Sequence, residues 1–572
     1  EFLYRDGKQH TGLNDSQARC KNKLNFHFNM SLTAINIAKV THWHIKQQYN
    51  EQGYLNYITA EISSPLGRSG GAWEAHIQRN ARGQATAYEF TGGVHSSFAY
   101  DNAGRPIAQT VKTGLGRESY KRSYHWNAAN QLVQTIDHIK NKGIRYTYDA
   151  LNQLVSAAIG SSETELKNPD AVGNLYETPE RTDRKYESGG KLTKDKNWHY
   201  YYDTLGNLKL KSPYPLHGKE PSKKWQMGCW HYEWYANGML KSVQKPSGAI
   251  VSFEYDALGR RTAKIAGKKI TRYLWDANVL LQEWSYDLSD RPILQVGEFG
   301  ELFYDKSEPA ENVTSWIYEQ GSFTPIAKLV DGERYSIISD YLGTPIQAFE
   351  SNGERVWERE LNIYGGVRKE TGIANFIPMR YQGQYFDVET GLCYNRFRYY
   401  DPESGNYLSQ DPIGLAGNNP NIYGYVGDPN TEVDIFGLSK YNPIEVLGRK
   451  VYQNPVDFGG GVPSFIDPIV GKTNPTVQKL LDAGASNYDL MSKGYSPIGI
   501  DGKQINLHHV LGAEPGPMVE LLDSTHKKHY KPLHGLIEDG NSFRNNRKLK
   551  YQYEKFRQNY WKERAKSFKG CH

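Results

Sequence analysis

Tyr255-Asp256-Ala257-Leu258-Gly259-Arg260 decides how this chain folds, because the same unit returns along the first half of the sequence. It recurs as Tyr100-Asp101-Asn102-Ala103-Gly104-Arg105, Trp126-Asn127-Ala128-Ala129-Asn130-Gln131, Tyr148-Asp149-Ala150-Leu151-Asn152-Gln153, Tyr202-Asp203-Thr204-Leu205-Gly206-Asn207, Trp234-Tyr235-Ala236-Asn237-Gly238-Met239 and Trp275-Asp276-Ala277-Asn278. Four of the six intervals are 20 to 26 residues, and the two longer ones leave room for insertions. An aromatic residue, often followed by Asp, ends one strand. Gly or Asn takes the positive-φ turn position, and the next strand follows. A hairpin alone cannot bury its apolar face, so successive hairpins must stack into a continuous sheet.

Composition agrees with a Tyr-rich β protein. Hydrophobic residues make up only 38% of the 572, and mean hydropathy is −0.71, values that would also suit a disordered chain. Disordered chains are poor in aromatics, however, and this one has 13%, including 42 Tyr. The length calls for several domains or a repeat architecture. The cysteines (Cys20, Cys229, Cys393, Cys571) are too scattered for a disulfide framework or a zinc ribbon, which suits synthesis in a reducing cytoplasm. No run of 18 apolar residues is present, so no membrane-spanning helix is expected. The opening Glu1-Phe2-Leu3-Tyr4-Arg5 has neither an initiator Met nor a signal peptide, and the expectation is a fragment or a processed piece.

The net charge of +6 is unevenly spread. Residues 439–572 hold 20 Lys and Arg against 13 Asp and Glu, an excess of seven, and the preceding 438 residues net −1. Between Arg544 and Lys569, 10 basic and 2 acidic residues interleave with Tyr551, Tyr553, Phe556, Tyr560 and Trp561. A basic segment carrying aromatics suits a polyanion partner; an amphipathic helix with a solvated charged face is the alternative.

The repeat is the YD signature, and residues 1–315 resemble the shell of Rhs and teneurin-like proteins. That resemblance implies a mainly β fold, a YD-repeat β-sheet spiral that closes into a hollow shell. A second match follows in Ser339-Asp340-Tyr341-Leu342-Gly343-Thr344-Pro345, in Arg380-Tyr381-Gln382-Gly383-Gln384-Tyr385-Phe386-Asp387-Val388-Glu389-Thr390-Gly391-Leu392 and in Tyr394-Asn395-Arg396-Phe397-Arg398-Tyr399-Tyr400-Asp401-Pro402. It resembles the Rhs-associated core domain, which we place at 316–438. Such domains end in two DPxGL elements. Here these are Asp411-Pro412-Ile413-Gly414-Leu415 and Asp434-Ile435-Phe436-Gly437-Leu438, with Ile435 where the family has Pro and an Asp-to-Asp spacing of 23 residues. By resemblance, Asp411 and Asp434 form an aspartyl-protease centre that cuts between Leu438 and Ser439. Two converging carboxyls can share a proton, one acting as base and the other as acid. Read structurally, each Asp simply caps a turn.

Beyond Leu438 the composition changes. Gly459-Gly460-Gly461 reads as a linker. A helix should begin at N-cap Asn474 with Pro475 in its first turn, bury Val477, Leu480 and Leu481, and close at Gly484. The stretch Ile500-Asp501-Gly502-Lys503-Gln504-Ile505 reads as a hairpin, with His508 and His509 ending its second strand. Five of the 17 histidines fall between residues 508 and 534. Neighbours on a strand face opposite ways, so one of the pair can hold a metal while the other meets substrate.

Residues 494–566 resemble the LHH branch of the HNH/endonuclease VII superfamily through Asn506-Leu507-His508-His509, Gly516-Pro517-Met518-Val519-Glu520-Leu521, Thr525-His526, Pro532-Leu533-His534 and Tyr560-Trp561-Lys562-Glu563-Arg564-Ala565. The family's Gln three residues past the His pair is Gly512 here. The resemblance implies an α+β (ββα-metal) nuclease domain over 439–572, with His509 as general base and His508, His534 and His526 on a divalent metal (Mg, Mn, Ni or Zn). His526 and His534 lie about 12 Å apart on a regular helix, so Pro532 must break it or His526 stands behind the metal, with His529 as a reserve. Arg544, Arg547, Lys548 and Lys550 are candidate phosphate contacts without base readout.

The resemblance implies an Rhs-family effector whose nuclease is made in the bacterial cytoplasm, carried out by a secretion system of type VI and delivered into a target cell. Its partners would be DNA, a cognate immunity protein and a secretion adaptor of the VgrG/PAAR type. The alternative is a YD-repeat adhesion or carbohydrate-binding protein with an inactive tail, for which His508→Ala and His509→Ala variants would be as toxic as the parent. A deaminase payload lacks its CxxC, and no nicotinamide-binding motif points to an ADP-ribosyltransferase.

Overall fold

The computed structural model describes residues 43–50, 55–62, 72–216, 225–298, 300–319, 322–414, 419, 421–438, 442–447, 449–453, 474–499, 502–509, 514, 518–528 and 542–566. Ser439, the Gly459–Gly461 linker, Gly512, His529, Pro532, His534, Cys20 and Cys571 lie outside them.

Each repeat closes its hairpin by the same local chemistry. In Asp256, Oδ1 accepts the amides of Leu258 (2.9 Å) and Arg260 (2.8 Å), and Gly259 sits at φ +74°. Asp101, Asp149 and Asp203 accept from the amides two and four residues on in the same way. The side chain supplies the acceptors that a tight turn lacks, which is why Asp or Asn recurs there. The aromatic before it stitches one hairpin to the last. The hydroxyls of Tyr100, Tyr148 and Tyr255 donate to the carbonyls of Ala85, Leu132 and Leu240 at 2.7–2.8 Å. Trp126 and Trp234 do the same through Nε1, to Pro106 and Leu208. Tyr and Trp interchange because each ends a flat apolar ring with one donor. The strand register also slips at Tyr100, Trp126, Tyr148, Tyr202, Trp234 and Tyr255. Repeated bulges add twist, so the ribbon winds.

The hairpins join into two long antiparallel sheets. One has 11 strands, from Trp43–Tyr49 to Glu163–Leu166, each paired with its successor; the other has 16, from Lys185–Glu187 to Val367–Gly372, with the hairpin of Leu294–Val296 and Leu302–Tyr304 set aside. The late strands of the second sheet return onto the first and form a shared core: Ile58, Trp73 and Val94 pack with Leu329, Ile338 and Phe349. Trp73 Nε1 donates to Ser336 Oγ at 3.0 Å. The result is a mainly β, hollow shell made from a wound ribbon. The strand Thr314–Tyr318 lies across the expected boundary at 315, and its sheet continues to Gly372.

Gly92 meets Gly114 and Gly353 at a tight point of this closure. Its φ is +80°, and a Cβ there would lie 2.5 Å from Gly353 N and 2.6 Å from Ser351 O. Gly92→Ala therefore combines left-handed strain of about 1–2 kcal/mol with overpacking of about 1–3 kcal/mol. A clearly lower denaturant midpoint is expected, and an unchanged midpoint would show that the seam yields freely.

A four-stranded sheet, Tyr385–Asp387, Leu392–Asn395, Arg398–Asp401 and Asn406–Tyr407, closes on the inside of the second sheet, with Leu392, Tyr394 and Tyr399 packed on Tyr200, Tyr232 and Phe253. Asp387, fully buried, pairs with the equally buried Arg261 and with Lys264 at 3.1 Å.

The C-terminal domain is α+β. Its sheet has the order Asn442–Val446, Arg449–Gln453, Met518–Leu521, Asn506–His509, with the middle pair parallel. Four helices are described: α1 (Pro475–Asp482), α2 (Asn487–Ser492), α3 (Asp523–Lys528) and α4 (Arg547–Lys566). As expected, Asn474 caps α1 by accepting from Thr476 N at 2.9 Å, Val477 is buried, and Gly484 follows at φ +81°. The expected hairpin at 500–505 is corrected. Its turn exists, as a single bridge between Ile498 and Gln504, but the histidine strand pairs with the later Met518–Leu521. A short polar stretch offers too few cross-strand contacts to extend the ladder.

Candidate active site

His508 and His509 end the strand Asn506–His509, opposite Val519 and Met518. Partners directly across an antiparallel ladder share a face, so the two histidines fall on opposite sides of the sheet. Both are buried, at 8% and 5% exposure. His509 faces α4, where its ring lies 4.6 Å from Phe543 and 5.0 Å from Tyr553, and Tyr553 is anchored by a 2.9 Å bond to Leu507 O. His508 faces α3, with its ring centre 5.1 Å from that of His526.

His509 Nε2 lies 2.6 Å from Glu514 Oε2. The Glu514 side chain is fully buried and is gripped by Arg449, through Nη1 at 2.8 Å and Nη2 at 2.6 Å. Burial, the largest influence, lowers the His509 pKa; the Glu514 carboxylate pulls the other way without reversing it. The lowered pKa favours the neutral imidazole, the form a general base needs. Burial would raise the Glu514 carboxyl, but bonds from His509 and Arg449 outweigh it and hold it below the ordinary range.

Two neighbouring imidazoles are borderline donors that fit a divalent transition metal. His508 and His526, whose rings adjoin, could each offer such an ion a ligand. Among the described residues no three His, Cys, Asp or Glu side chains converge as a metal would need, and the third expected ligand, His534, lies outside them.

Arg544, Arg547, Lys548 and Lys550 are exposed at the start of α4 and just before it. Exposed cations at a helix N-terminus reinforce the positive end of its dipole, which suits phosphate. The interleaved aromatics do something else. Tyr553, Phe556, Tyr560 and Trp561 are the buried stripe of α4, packed on Val451, Leu507 and Met518. Of the aromatics read as a nucleic-acid surface, only Tyr551, 63% exposed, faces outward.

The second candidate centre lies in the core region. Asp411 and Asp434 are buried, and one nitrogen, Arg398 Nη2, donates to both, at 3.1 and 3.2 Å. Arg398 Nε also donates to Gly437 O at 2.5 Å, and Nη1 to Ile422 O at 3.1 Å. Tyr407 donates to Asp434 Oδ2 at 2.9 Å, and Leu438 N donates to Asp434 Oδ1 at 2.9 Å. Asp434 thus lies against the Leu438 amide, and Arg398 links it to Asp411, with Ser439 outside the described residues. The Arg398 guanidinium thereby stands between the two carboxylates. Ile435, in the place of the family's Pro, packs with Val433, Phe436 and Leu438 against Val519 and Leu521 of the C-terminal domain.

Sequence reasoning missed Glu514, Arg449 and Arg398. Arg398 stands inside the core motif, but nothing in the motif gave it a role. Glu514 and Arg449 carried no signal, since the one follows the His pair in an aperiodic loop and the other precedes the matched nuclease segment.

Two family models match the chain. Residues 20–421 match the Teneurin YD-shell, and residues 486–567 match a nuclease of the HNH/ENDO VII superfamily with conserved LHH. The chain is 30% identical over 339 residues to "Probable deoxyribonuclease RhsB" of Dickeya dadantii (57% of this chain, 21% of that protein). It is 29% identical over 375 residues to "Double-stranded DNA deaminase toxin A" of Burkholderia cenocepacia (61% and 25%). It is 26% identical over 400 residues to "Toxin protein Tse5" of Pseudomonas aeruginosa (61% and 29%). It spans less than a third of each relative's length. Proteins named as a deoxyribonuclease and as a deaminase match at nearly the same identity, so these likenesses do not decide the C-terminal chemistry; the nuclease family model matches that region directly. With a shell model over most of its length and the LHH match over the domain that holds His508, His509 and His526, the chain belongs to the YD-shell family and carries a nuclease domain of the HNH/ENDO VII superfamily.

Proposed function

We propose that the chain is an Rhs-type antibacterial effector whose residues 439–572 form a metal-dependent DNA endonuclease, freed from the core domain (316–438) by a cut after Leu438. The observation that carries the nuclease reading is the division of the His pair. His509 lies against Glu514, with the exposed cations of α4 beyond it, while His508 lies against His526 on the other face. His508, His526 and His534 would hold a Mg, Mn, Ni or Zn ion, which when bound supplies charge stabilisation at the scissile phosphate. The residues of the chain do the rest. His509 takes the proton of the attacking water, and Arg544, Arg547, Lys548 and Lys550 hold the phosphate backbone without reading bases.

Asp411 and Asp434 are proposed to cut between Leu438 and Ser439. Delivery by a type VI system, an adaptor and a cognate immunity protein are proposed from the toxins among the relatives. An immunity protein that covers the exposed cations of α4 should itself be acidic.

The test is plasmid DNA incubated with purified 439–572, with each of Mg²⁺, Mn²⁺, Ni²⁺ and Zn²⁺ and with EDTA. Degradation that needs metal and stops with EDTA is expected. A folded domain inert with every metal would refute the DNase.

A further inference from the structure

The arrangement around Glu514 deepens the nuclease reading and rests on it. A carboxylate gripped by both terminal nitrogens of one guanidinium is already charge-balanced and could have stood as a structural pair. Glu514 instead places Oε2 2.6 Å from His509 Nε2, inside the domain. An ionised carboxylate only accepts hydrogen bonds, so the proton between them belongs to Nε2, and Nδ1 is left as the basic nitrogen of the ring. Phe543 and Tyr553 flank the imidazole and hold its plane. Arg449 is itself fixed, its guanidinium lying 4.1 Å from the centre of the Phe556 ring on α4.

We propose that Glu514 and Arg449 are positioning residues of the nuclease. Arg449 orients the Glu514 carboxylate, the carboxylate holds the Nε2 proton of His509, and Nδ1 receives the proton of the attacking water. In the step itself the water oxygen bonds to phosphorus, the bond from phosphorus to the leaving sugar oxygen breaks, and the displaced oxygen takes a proton from solvent. The imidazolium that forms stays paired with Glu514. Arg449 stands on the strand Arg449–Gln453, outside the matched nuclease segment of 486–567 and close behind the proposed cut. The hairpin that follows Leu438 is therefore part of the active site, and a nuclease trimmed to the matched segment lacks it.

The test uses the full chain, as parent, Glu514→Gln and Arg449→Lys, with steady-state cleavage of linear DNA in the metal that best supports the parent. In Glu514→Gln one of the two Arg449 bonds is lost in either amide orientation, and the His509 ring no longer has an ionised carboxylate to hold its proton and balance the imidazolium. The turnover number kcat is expected to fall about 100-fold or more, with KM for DNA within about twofold, because neither residue belongs to the exposed phosphate-binding set. Arg449→Lys, which keeps the charge but loses the fork, should lower kcat less, again at unchanged KM. Parental kcat in Glu514→Gln, or a loss confined to KM, overturns the proposal while the nuclease stands. If Glu514→Gln does not fold, Arg449→Lys decides by the same split. A parent inert toward DNA both as the full chain and as purified 439–572 removes the nuclease reading and this proposal together; if only the domain is active, the same variants are compared in it.

Discussion

Replacing His509 with Ala is expected to reduce DNA cleavage by about 10²- to 10⁴-fold, the usual contribution of a general base. The loss should be chemical rather than structural. His509 is buried between Phe543, Tyr553 and Glu514. Removing its ring leaves Glu514 still doubly bonded to Arg449, so no charge is stranded. DNA binding should persist, because Arg544, Arg547, Lys548 and Lys550 are untouched. A gel-shift assay beside the cleavage assay separates the two effects. If His509→Ala cleaved like the parent, the base would have to be another residue.

Replacing Asp434 with Asn should leave the full-length chain uncut, seen as a single band where the proposed cut would give two for the parent. Asp434 touches everything the cut needs: the Leu438 amide, Tyr407 and the guanidinium shared with Asp411. The variant should still fold. Taking one carboxylate from a buried ion pair normally costs about 3–5 kcal/mol, but Arg398 keeps Asp411 and two main-chain carbonyls as partners. In the parent, the pieces should stay together after the cut and part only in denaturant, since Phe436 and Leu438 pack on Val519 and Leu521. A variant cut at the parental rate would remove Asp434 from the chemistry and leave it as a turn cap.

Much of the fold was legible because it is written in short-range chemistry. The turn at Asp256 uses amides two and four residues away, and Gly259 must take a positive φ, so both appear in any window of six residues. The stitching Tyr255 hydroxyl finds its acceptor in the preceding hairpin, at a distance the repeat itself sets. The opposite facing of His508 and His509 follows from strand geometry alone. The α4 aromatics were harder to read, because the same spacing of Tyr553, Phe556 and Tyr560 serves either a buried stripe or a stacking surface. Burial, not sequence, distinguishes them, and here they are core.

What the sequence determined by itself was therefore the hairpin unit, its repetition into a wound sheet, the α1 boundaries, and the pairing of a shell with a His-His nuclease segment. Tertiary structure alone decided that Gly92 meets Gly353 at the seam, that Arg398 lies between Asp411 and Asp434, and that Arg449 grips Glu514 behind His509. The physical reason is range. Turn chemistry and strand alternation act within a few residues and leave a periodic trace. A buried ion pair depends on how many strands the ribbon turns through before two distant side chains meet, and no local pattern records that.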